Sequence, residues 1–447
     1  MKKRKMLSRI FFAWLLAAAV WLGGCGADQE TLSDPLQAAL TEPEAQENQN
    51  APEGEDGQEI WDGEQDGQET AGDAASAMSQ IEEKEPEDVP YTEPEITLIM
   101  VGDVLMHMRV TNSGKQADGT YNYDHLFAPT RELVEAADLA LVNQEVILGG
   151  PELEYSGYPR FNAPYEVADA LVEAGFDVVL HATNHTLDKG KQGVLNSLKY
   201  WRENYPEIAV IGMQDSQEAQ DEIYVYEKDG IRIAILNYTY GTNGLPIPKD
   251  MPYIVNLLNE ERIASDVARA KELADFVMVC PHWGTEYILK ASKAQKQWAQ
   301  FFLECGVDLC IGTHPHVIEP VEWLEDEAGH RMLVYYSLGN FVNSTASEGE
   351  GVGNRMLGAM ATITIARNEA GEVYIKEYGA EPLITYVSGN GKFIATYPMD
   401  QFTEEMAAES STRRKDRTFS LAHCQKVWKD VMGDLAEKQP EEMDREE

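Results

Sequence analysis

The residues of this chain most suited to metal chemistry are two histidines separated by one proline, His314 and His316. They follow an apolar run, Val307–Ile311, that is typical of a buried strand. Because the chain turns where a strand ends, both imidazoles can reach one point, and imidazole is the commonest protein ligand for transition metals. A histidine pair in a surface turn is the alternative that this stretch alone leaves open.

Four other apolar runs also end in residue types that bind metals. These residues are Asp103 and His107, Asn143 and Glu145, Asn184, His185 and Asp188, and His282 and Glu286. In α/β sheets the loops at the carboxyl ends of strands converge, so we expect these side chains to lie together. Five strand ends supply more ligands than one ion needs, and they suit two metals ~3.5–4 Å apart with a bridging carboxylate.

Each of these side chains also has a purely structural interpretation. Asp103 follows a glycine and suits a turn or a helix cap, and Glu145 suits a surface carboxylate. Asn184 and His185 precede a predicted helix and suit its cap, while Trp283 suits core packing. The order and positions of the whole set favour the metal-site interpretation.

Alternating strands and helices must position these residues. From Ile96 onward, short β-branched runs alternate with amphipathic segments, which predicts an α/β domain with much parallel sheet. Between Met332 and Val387, strand-like runs follow one another without helices, which predicts a second, antiparallel set. We therefore predict one domain over residues 96–400 and a charged, helical tail over residues 401–447.

The charge of the chain argues against one class of partner. The formal net charge is −41, of which −16 lies in residues 1–95 and −25 in residues 96–447. A body this acidic lacks the basic surface that nucleic-acid binding requires, and it repels polyanions at long range. Anionic substrates are still compatible with it if bound metal supplies local positive charge.

The N-terminal residues predict export and a lipid anchor. Five basic residues precede an apolar run, Ile10–Leu22, of the length of a signal-peptide core. Small residues then precede Cys25, as in the bacterial lipoprotein cleavage box, so residues 1–25 are predicted to be a signal peptide and Cys25 to be lipidated at the outer face of the cell membrane. An uncleaved signal anchor is the alternative. Residues 26–95 contain 22 Asp and Glu against one Lys, which predicts a disordered acidic tether.

The ordered set of motifs resembles the CapA family of bacterial capsule or poly-γ-glutamate synthesis proteins. The motifs that carry the resemblance are Gly102-Asp103, Asn143-x-Glu145, Asn184-His185-x-x-Asp188-x-Gly190, His282-Trp283-Gly284-x-Glu286-Tyr287, Gly312-x-His314-Pro315-His316 and Ser337-Leu338-Gly339-Asn340-Phe341. The family is similar in turn to calcineurin-like metallophosphatases. The similarity implies an α/β fold, a four-layer α/β/β/α sandwich, with a site for two divalent ions such as Mn, Fe or Zn.

The resemblance also implies a role for each motif residue. The implied metal ligands are Asp103 and His316 for one ion, Asn184, His282 and His314 for the other, and Glu145 as the bridge. His185 is implied to donate a proton or stabilise charge at the reacting group, and Asp188 to orient it. Asn143, Glu286 and Asn340 are predicted to contact the substrate.

One ligand of the metallophosphatase pattern is missing. Where those enzymes carry a histidine two residues after the first aspartate, this chain has Leu105. His107 is the candidate replacement, so loading of the first metal position depends on it. Glu145 also stands where phosphatases use an aspartate, and its longer side chain allows a different metal spacing.

Two functions compete on this basis. The first is an extracytoplasmic, metal-dependent hydrolase or transferase that acts on phosphoester or amide bonds in the synthesis of capsule, poly-γ-glutamate or another surface polymer. The second is a non-catalytic accessory lipoprotein that assembles, exports or anchors such a polymer. The expected partners are the membrane, through Cys25, other capsule synthesis proteins and an anionic polymer. Metal content and turnover separate the two functions.

Overall fold

The computed structural model describes residues 91–433 and residue 435, so Cys25, the predicted signal peptide and most of the predicted tether lie outside the described residues. The strands are β1 (Glu95–Val104), β2 (Leu139–Asn143), β3 (Val178–Leu180), β4 (Ala209–Ile211), β5 (Tyr224–Lys228), β6 (Ile231–Thr239), β7 (Phe276–His282), β8 (Leu309–Ile311), β9 (Val321–Glu325), β10 (Arg331–Tyr335), β11 (Asn340–Val342), β12 (Leu357–Arg367), β13 (Val373–Val387) and β14 (Ile394–Pro398).

The helices are mostly short. They are α1 (Met108–Ser113), α2 (Asp124–Phe127), α3 (Arg131–Glu135), α4 (Glu166–Glu173), α5 (Gly190–Asn204), α6 (Gln217–Asp221), α7 (Glu260–Leu273), α8 (Lys293–Cys305), α9 (Glu404–Glu409), α10 (Ser411–Lys415) and α11 (Leu421–Met432). Single 3-10 turns lie at Ala128–Thr130, Pro151–Leu153, Val352–Met356 and Met399–Gln401. Within the described residues, none of the helices combines the length and apolar character needed to cross a membrane.

The strands form two sheets that are parallel at their centres. The first has the order β14-β13-β12-β1-β2-β3-β4, with β11 also paired to β1, and the second has the order β5-β6-β7-β8-β10-β9. Strands β1 to β4 pair in parallel, and so do β6, β7, β8 and β10. Parallel neighbours need crossover connections, which the intervening helices supply.

Two hydrophobic cores hold four layers together. Along β6, Ile233 belongs to a central core between the sheets, whereas its neighbour Ala234 belongs to an outer core shared with α7 and α8. This alternation places the second sheet between the first sheet and those helices. Across the sheets, Cys280 Sγ of β7 lies 3.9 Å from Met100 Sδ of β1. Right-handed crossovers place α4 and α5 together on the other face of the first sheet. The predicted α/β/β/α sandwich is therefore confirmed.

The C-terminal strands differ from the prediction in how they are distributed. They pair antiparallel, as predicted, but they do not form a separate set: β12, β13 and β14 extend the first sheet beside β1, while β9 and β10 complete the second. The reason is that β1 and β8 each leave one edge that needs a hydrogen-bonded neighbour. After residue 400, Ala407, Phe419 and Cys424 of the C-terminal segment pack into the central core.

Two glycines allow the strand ends near the histidine pair to approach closely. A Cβ at Gly102 would lie 1.9 Å from the carbonyl oxygen of Gly339. A Cβ at Gly312 would lie 2.2 Å from both the carbonyl oxygen of Tyr336 and the indole nitrogen of Trp283. Both contacts are impossible for any larger residue, so these motif glycines bring the loops after β1, β8 and β10 together.

Candidate metal centre

Two carboxylates lie fully buried at the carboxyl ends of β1 and β2. Asp103 is the next-to-last residue of β1 and lies opposite Asn340 of β11 in the parallel register. Glu145 follows β2 by two residues. Asn143 Nδ2 donates to Asp103 Oδ1 over 2.8 Å, so the end of β2 also fixes the aspartate on β1. Asp103 is therefore neither a turn residue nor a helix cap.

The two histidines after β8 reach these carboxylates because each of them has a left-handed backbone conformation. His314 has φ +101° and His316 has φ +59°, a region that side chains other than glycine rarely adopt. His316 Nδ1 lies 3.0 Å from Asp103 Oδ2, and His316 Nε2 lies 3.6 Å from Glu145 Oε1. The backbone N–H of His314 donates to Asp103 Oδ2 over 3.3 Å. The turn thus presents both imidazoles to one buried site, which agrees with the prediction from their spacing.

A second group of ligand-type atoms lies on the other side of Glu145. His282 ends β7, and its Nε2 lies 2.9 Å from Asn184 Oδ1 and 3.8 Å from Glu145 Oε1. The His314 ring lies 4.8 Å from the His282 ring, centroid to centroid. Glu145 therefore lies between two groups of side chains. Asp103 and His316 form one group, and Asn184, His282 and His314 form the other. All six predicted metal ligands come together in the structure.

Burial controls the charges in this site. It raises the pKa of Glu145 well above its ordinary value, with His316 opposing and Asp103 adding to the rise. Burial lowers the pKa values of His282 and His314 well below normal, so both imidazoles are neutral. For His316 burial acts in the same direction, but Glu145 and Asp103 outweigh it and raise the pKa to about 9.

The donor atoms fit a metal ion because several of them are buried with no partner. Neither oxygen of Glu145 has a hydrogen-bond partner among the described residues, and neither does His314 Nδ1. Glu145, His314 and His316 each offer one ligand atom within 4.8 Å of the others. Buried polar atoms without partners are costly, and a divalent cation would satisfy carboxylate and neutral imidazole together. The mixed oxygen and nitrogen donors suit ions such as Mn, Fe and Zn.

A histidine–aspartate pair lies beside these ligands. His185 Nδ1 lies 2.7 Å from Asp188 Oδ2, which also accepts the backbone N–H of Phe161 over 2.7 Å. Asp188 therefore fixes the ring, and Nε2 of His185 faces the site at 3.9 Å from Glu145 Oε1. The Phe161 ring packs edge-on against His185, with ring centroids 4.7 Å apart. This imidazole is oriented as a proton donor or acceptor would need to be.

The structure places the remaining predicted residues around this centre. The ring of His107 packs against Phe161 and lies at the start of α1, and it forms no ion pair with either carboxylate among the described residues. Asn340 donates to the carbonyl oxygen of His316 over 3.0 Å, and its Oδ1 lies 3.1 Å from His316 Nδ1. Glu286 is exposed. The ligand role of His107 and the substrate contacts of Asn143, Glu286 and Asn340 stay predictions.

Some residues of the site were not found from the sequence. Thr313 Oγ1 lies 3.0 Å from His282 Nδ1, and Tyr240 packs against His314 with ring centroids 4.7 Å apart. Asn243 Oδ1 accepts from Asn184 Nδ2 over 3.3 Å. Tyr240 and Asn243 follow β6, whose carboxyl end also faces this edge. Examination of that strand end, as for the other five, would have found them.

The chain is similar in sequence to bacterial capsule synthesis proteins. The model of a family described as "Bacterial capsule synthesis protein PGA_cap" matches residues 97–345. The capsule biosynthesis protein CapA of Bacillus anthracis is 28% identical over 256 residues, which cover 55% of this chain and 59% of that protein. The PGA biosynthesis protein CapA of Bacillus subtilis (strain 168) is 28% identical over 264 residues, 58% of this chain and 66% of that protein. The chain thus spans about two thirds or less of the length of these relatives.

The solved structures that match this chain are more distant from it in sequence. A novel phosphatase from Mycoplasma pneumoniae has a TM-score of 0.41 and 16% identity, over 66% of this chain and 95% of that chain. A 5'-nucleotidase precursor from Thermus thermophilus has a TM-score of 0.40 and 15% identity, over 65% of this chain and 54% of that chain.

The contacts of Asn340 generate a testable prediction. Replacing Asn340 by Ala removes the amide that holds both the ring and the backbone of His316, so we expect metal affinity to fall about 10–100-fold. Competition with a chelator of known affinity measures the change. The control is Asn354→Ala, since Asn354 Oδ1 lies 2.7 Å from His423 and away from the carboxylates. Equal affinities for the two variants would show that Asn340 does not position a ligand.

Proposed function

The chain belongs to the bacterial capsule synthesis protein family, and on this basis we propose that it is a metal-dependent hydrolase or transferase of cell-surface polymer synthesis. Its reaction would be the cleavage or transfer of a phosphoester or amide bond. The observation that supports a reaction rather than simple binding is the oriented His185–Asp188 pair, which lies beside the ligand set without belonging to it.

Buried donors support the use of metal. The site brings together two carboxylates, two neutral imidazoles and one asparagine oxygen, all of them buried. Both oxygens of Glu145 and Nδ1 of His314 have no hydrogen-bond partner among the described residues. When bound here, divalent metal would supply a nucleophilic oxygen near neutral pH and stabilise charge on the reacting centre. Asp103 and His316 would hold one ion, Asn184, His282 and His314 the other, and Glu145 would contact both.

The protein's own contribution to the reaction is proton transfer and orientation. Asp188 accepts from His185 Nδ1–H, so Nε2 is the atom directed at a bound substrate. In its protonated form this atom can deliver a proton to a leaving group, and Asp188 stabilises the positively charged ring before the transfer. Phe161 excludes water from one face of the ring and fixes Asp188 through its backbone N–H.

We also propose that the protein acts outside the cell membrane as a lipoprotein. The observation behind this is the N-terminal sequence, in which a basic segment and an apolar run end at Cys25. Two acyl chains on this cysteine suffice for stable anchoring. An anionic polymer and other capsule synthesis proteins are the proposed partners at that surface.

Two histidine substitutions test the catalytic proposal. In the purified full-length protein, we expect His185→Ala to keep its metal but to lose about 10²–10⁴-fold in kcat, because it removes the proton donor alone. We expect His314→Ala to lose bound metal. Metal content by mass spectrometry and turnover of phosphoester and γ-glutamyl amide substrates measure the two effects.

A matched control and two outcomes decide this test. His423→Ala changes a histidine of α11 that contacts Asn354 instead of the site, and it should match the wild type. Wild-type protein that binds metal yet turns over neither substrate class would support a non-catalytic accessory function. Wild-type protein that binds no transition metal under replete conditions would contradict the proposal.

A substitution at Cys25 tests the anchor. We expect Cys25→Ala to abolish incorporation of labelled fatty acid, because the thiol is the acceptor. Cell fractionation with metabolic labelling measures this, and Cys424→Ala, at a buried thiol of α11, is the control. Unchanged labelling of Cys25→Ala would contradict the lipoprotein proposal.

A further inference from the structure

Three cationic side chains from distant parts of the chain meet beside the metal centre. They are Arg109 of α1, Arg355 of the 3-10 turn before β12 and Lys415 at the end of α10, and we call them the basic cluster. Arg355 and Lys415 lie beyond residues 97–345, the stretch that the family model matches. The cluster is therefore a feature that the family motifs do not include.

Arg355 lies two contacts from a proposed metal ligand. Its guanidinium carbon lies 3.5 Å from the centroid of the Tyr287 ring, and that ring stacks on His316 with centroids 5.9 Å apart. The backbones of Arg355 and His316 are also linked, through Asn340. Its Nδ2 donates to the carbonyl oxygen of Arg355 over 2.9 Å and to that of His316. A group bound by Arg355 would lie at the edge of the metal centre.

The other two cations are held near Arg355, Lys415 by the loop after β11 and Arg109 by α10. Lys415 Nζ donates to the carbonyl oxygen of Thr345, and Arg355 Nη1 donates to Thr345 Oγ1 over 3.3 Å. Arg109 Nη1 donates to Ser411 Oγ over 3.2 Å, on the same helix as Lys415. These partners are all neutral oxygens, so they position the cations without neutralising them.

The basic cluster has no counter-ion within the described part of the chain. None of its members forms an ion pair there, whereas Arg131 pairs with Glu135 over 2.7 Å and Arg262 with Asp266 over 2.7 Å. The nearby carboxylates, Glu286 and Glu348, are exposed and form no ion pair with the cluster. In a body with a net charge of −25, three unpaired cations in one place require an explanation.

The pKa of Lys415 agrees with the closeness of the cations. Burial, followed by repulsion from Arg109, lowers the pKa of Lys415. A bound anion would relieve this repulsion.

We propose that the basic cluster is a binding subsite for the acid groups of a polycarboxylate substrate chain, which it holds beside the metal centre. This inference rests on the proposed function of that centre. Because the three cations lie on three separate elements, each can pair with a different acid group along one chain, whereas a single phosphate offers only one such group. A planar guanidinium also pairs with a carboxylate through two parallel hydrogen bonds.

Binding of a defined acidic oligomer tests the subsite. A fluorescent γ-glutamyl decamer is titrated into metal-stripped full-length protein, and its anisotropy gives Kd at several salt concentrations. We expect Arg355→Gln and Lys415→Gln each to raise Kd about tenfold, the effect of losing one charge-assisted hydrogen bond. Arg355→Lys should recover part of the affinity. Lys199→Gln is the control, since this exposed lysine of α5 contacts only Glu203, at 3.8 Å.

Several outcomes would overturn the subsite. An equal effect of Lys199→Gln would show that binding reflects net charge alone. Unchanged Kd for both Arg355→Gln and Lys415→Gln would show that the cluster does not bind the oligomer. Tighter binding of a polyphosphate of similar charge would contradict the assignment to carboxylates.

The test separates this inference from the proposed function. If the protein binds the decamer through the cluster but turns over no substrate, the subsite stands and the catalytic proposal fails. If the protein is active on a γ-glutamyl substrate and Arg355→Gln leaves its KM unchanged, the subsite fails and the catalytic proposal stands. Melting temperatures of all variants confirm that each one folds.

Discussion

The structure depends on one buried carboxylate whose charge the protein alone compensates only in part. Glu145 is completely buried, neither of its oxygens has a hydrogen-bond partner among the described residues, and three imidazole nitrogens lie 3.6–3.9 Å away. Of these histidines, His282 is held neutral by burial, while His316 carries a raised pKa but shares its charge with Asp103. Such an arrangement is costly for a protein without a bound cation and favourable with one.

The fold accepts this cost because its parallel strands bring ligands to one edge. β1, β2, β7 and β8 each end beside the site, and the left-handed turn at His314 and His316 supplies two ligands from a single loop. That backbone conformation is unfavourable for histidine, so the packing of Gly312 against Tyr336 and the hydrogen bonds of Asn340 must maintain it. Strain and buried charge therefore occur at the same place, as is common for functional sites.

The sequence predicted which residues meet at one edge better than it predicted the architecture around them. The six proposed metal ligands follow strand ends, so strand prediction and residue type together were enough to bring them to one edge, and the family prediction was confirmed. The antiparallel pairing of β12 to β14 was predicted correctly, but their attachment to the first sheet was not, because it depends on which sheet edges are free and a single sequence does not reveal this. The basic cluster was not predicted, because the proximity of Arg109 to Arg355 and Lys415 arises from contacts across about 300 residues.

The most direct test of this account is the thermal stability of Glu145→Gln with and without metal. In metal-stripped protein at pH 8, the account predicts a higher melting temperature for Glu145→Gln than for the wild type, because the substitution removes a charge that is compensated only in part. The difference should shrink as the pH falls toward 5, since a raised carboxyl pKa means that the wild type loses stability as the pH rises. Adding Mn²⁺ or Zn²⁺ should raise the melting temperature of the wild type far more than that of the variant. Equal melting temperatures without metal, together with equal increases on adding metal, would contradict the central role of Glu145.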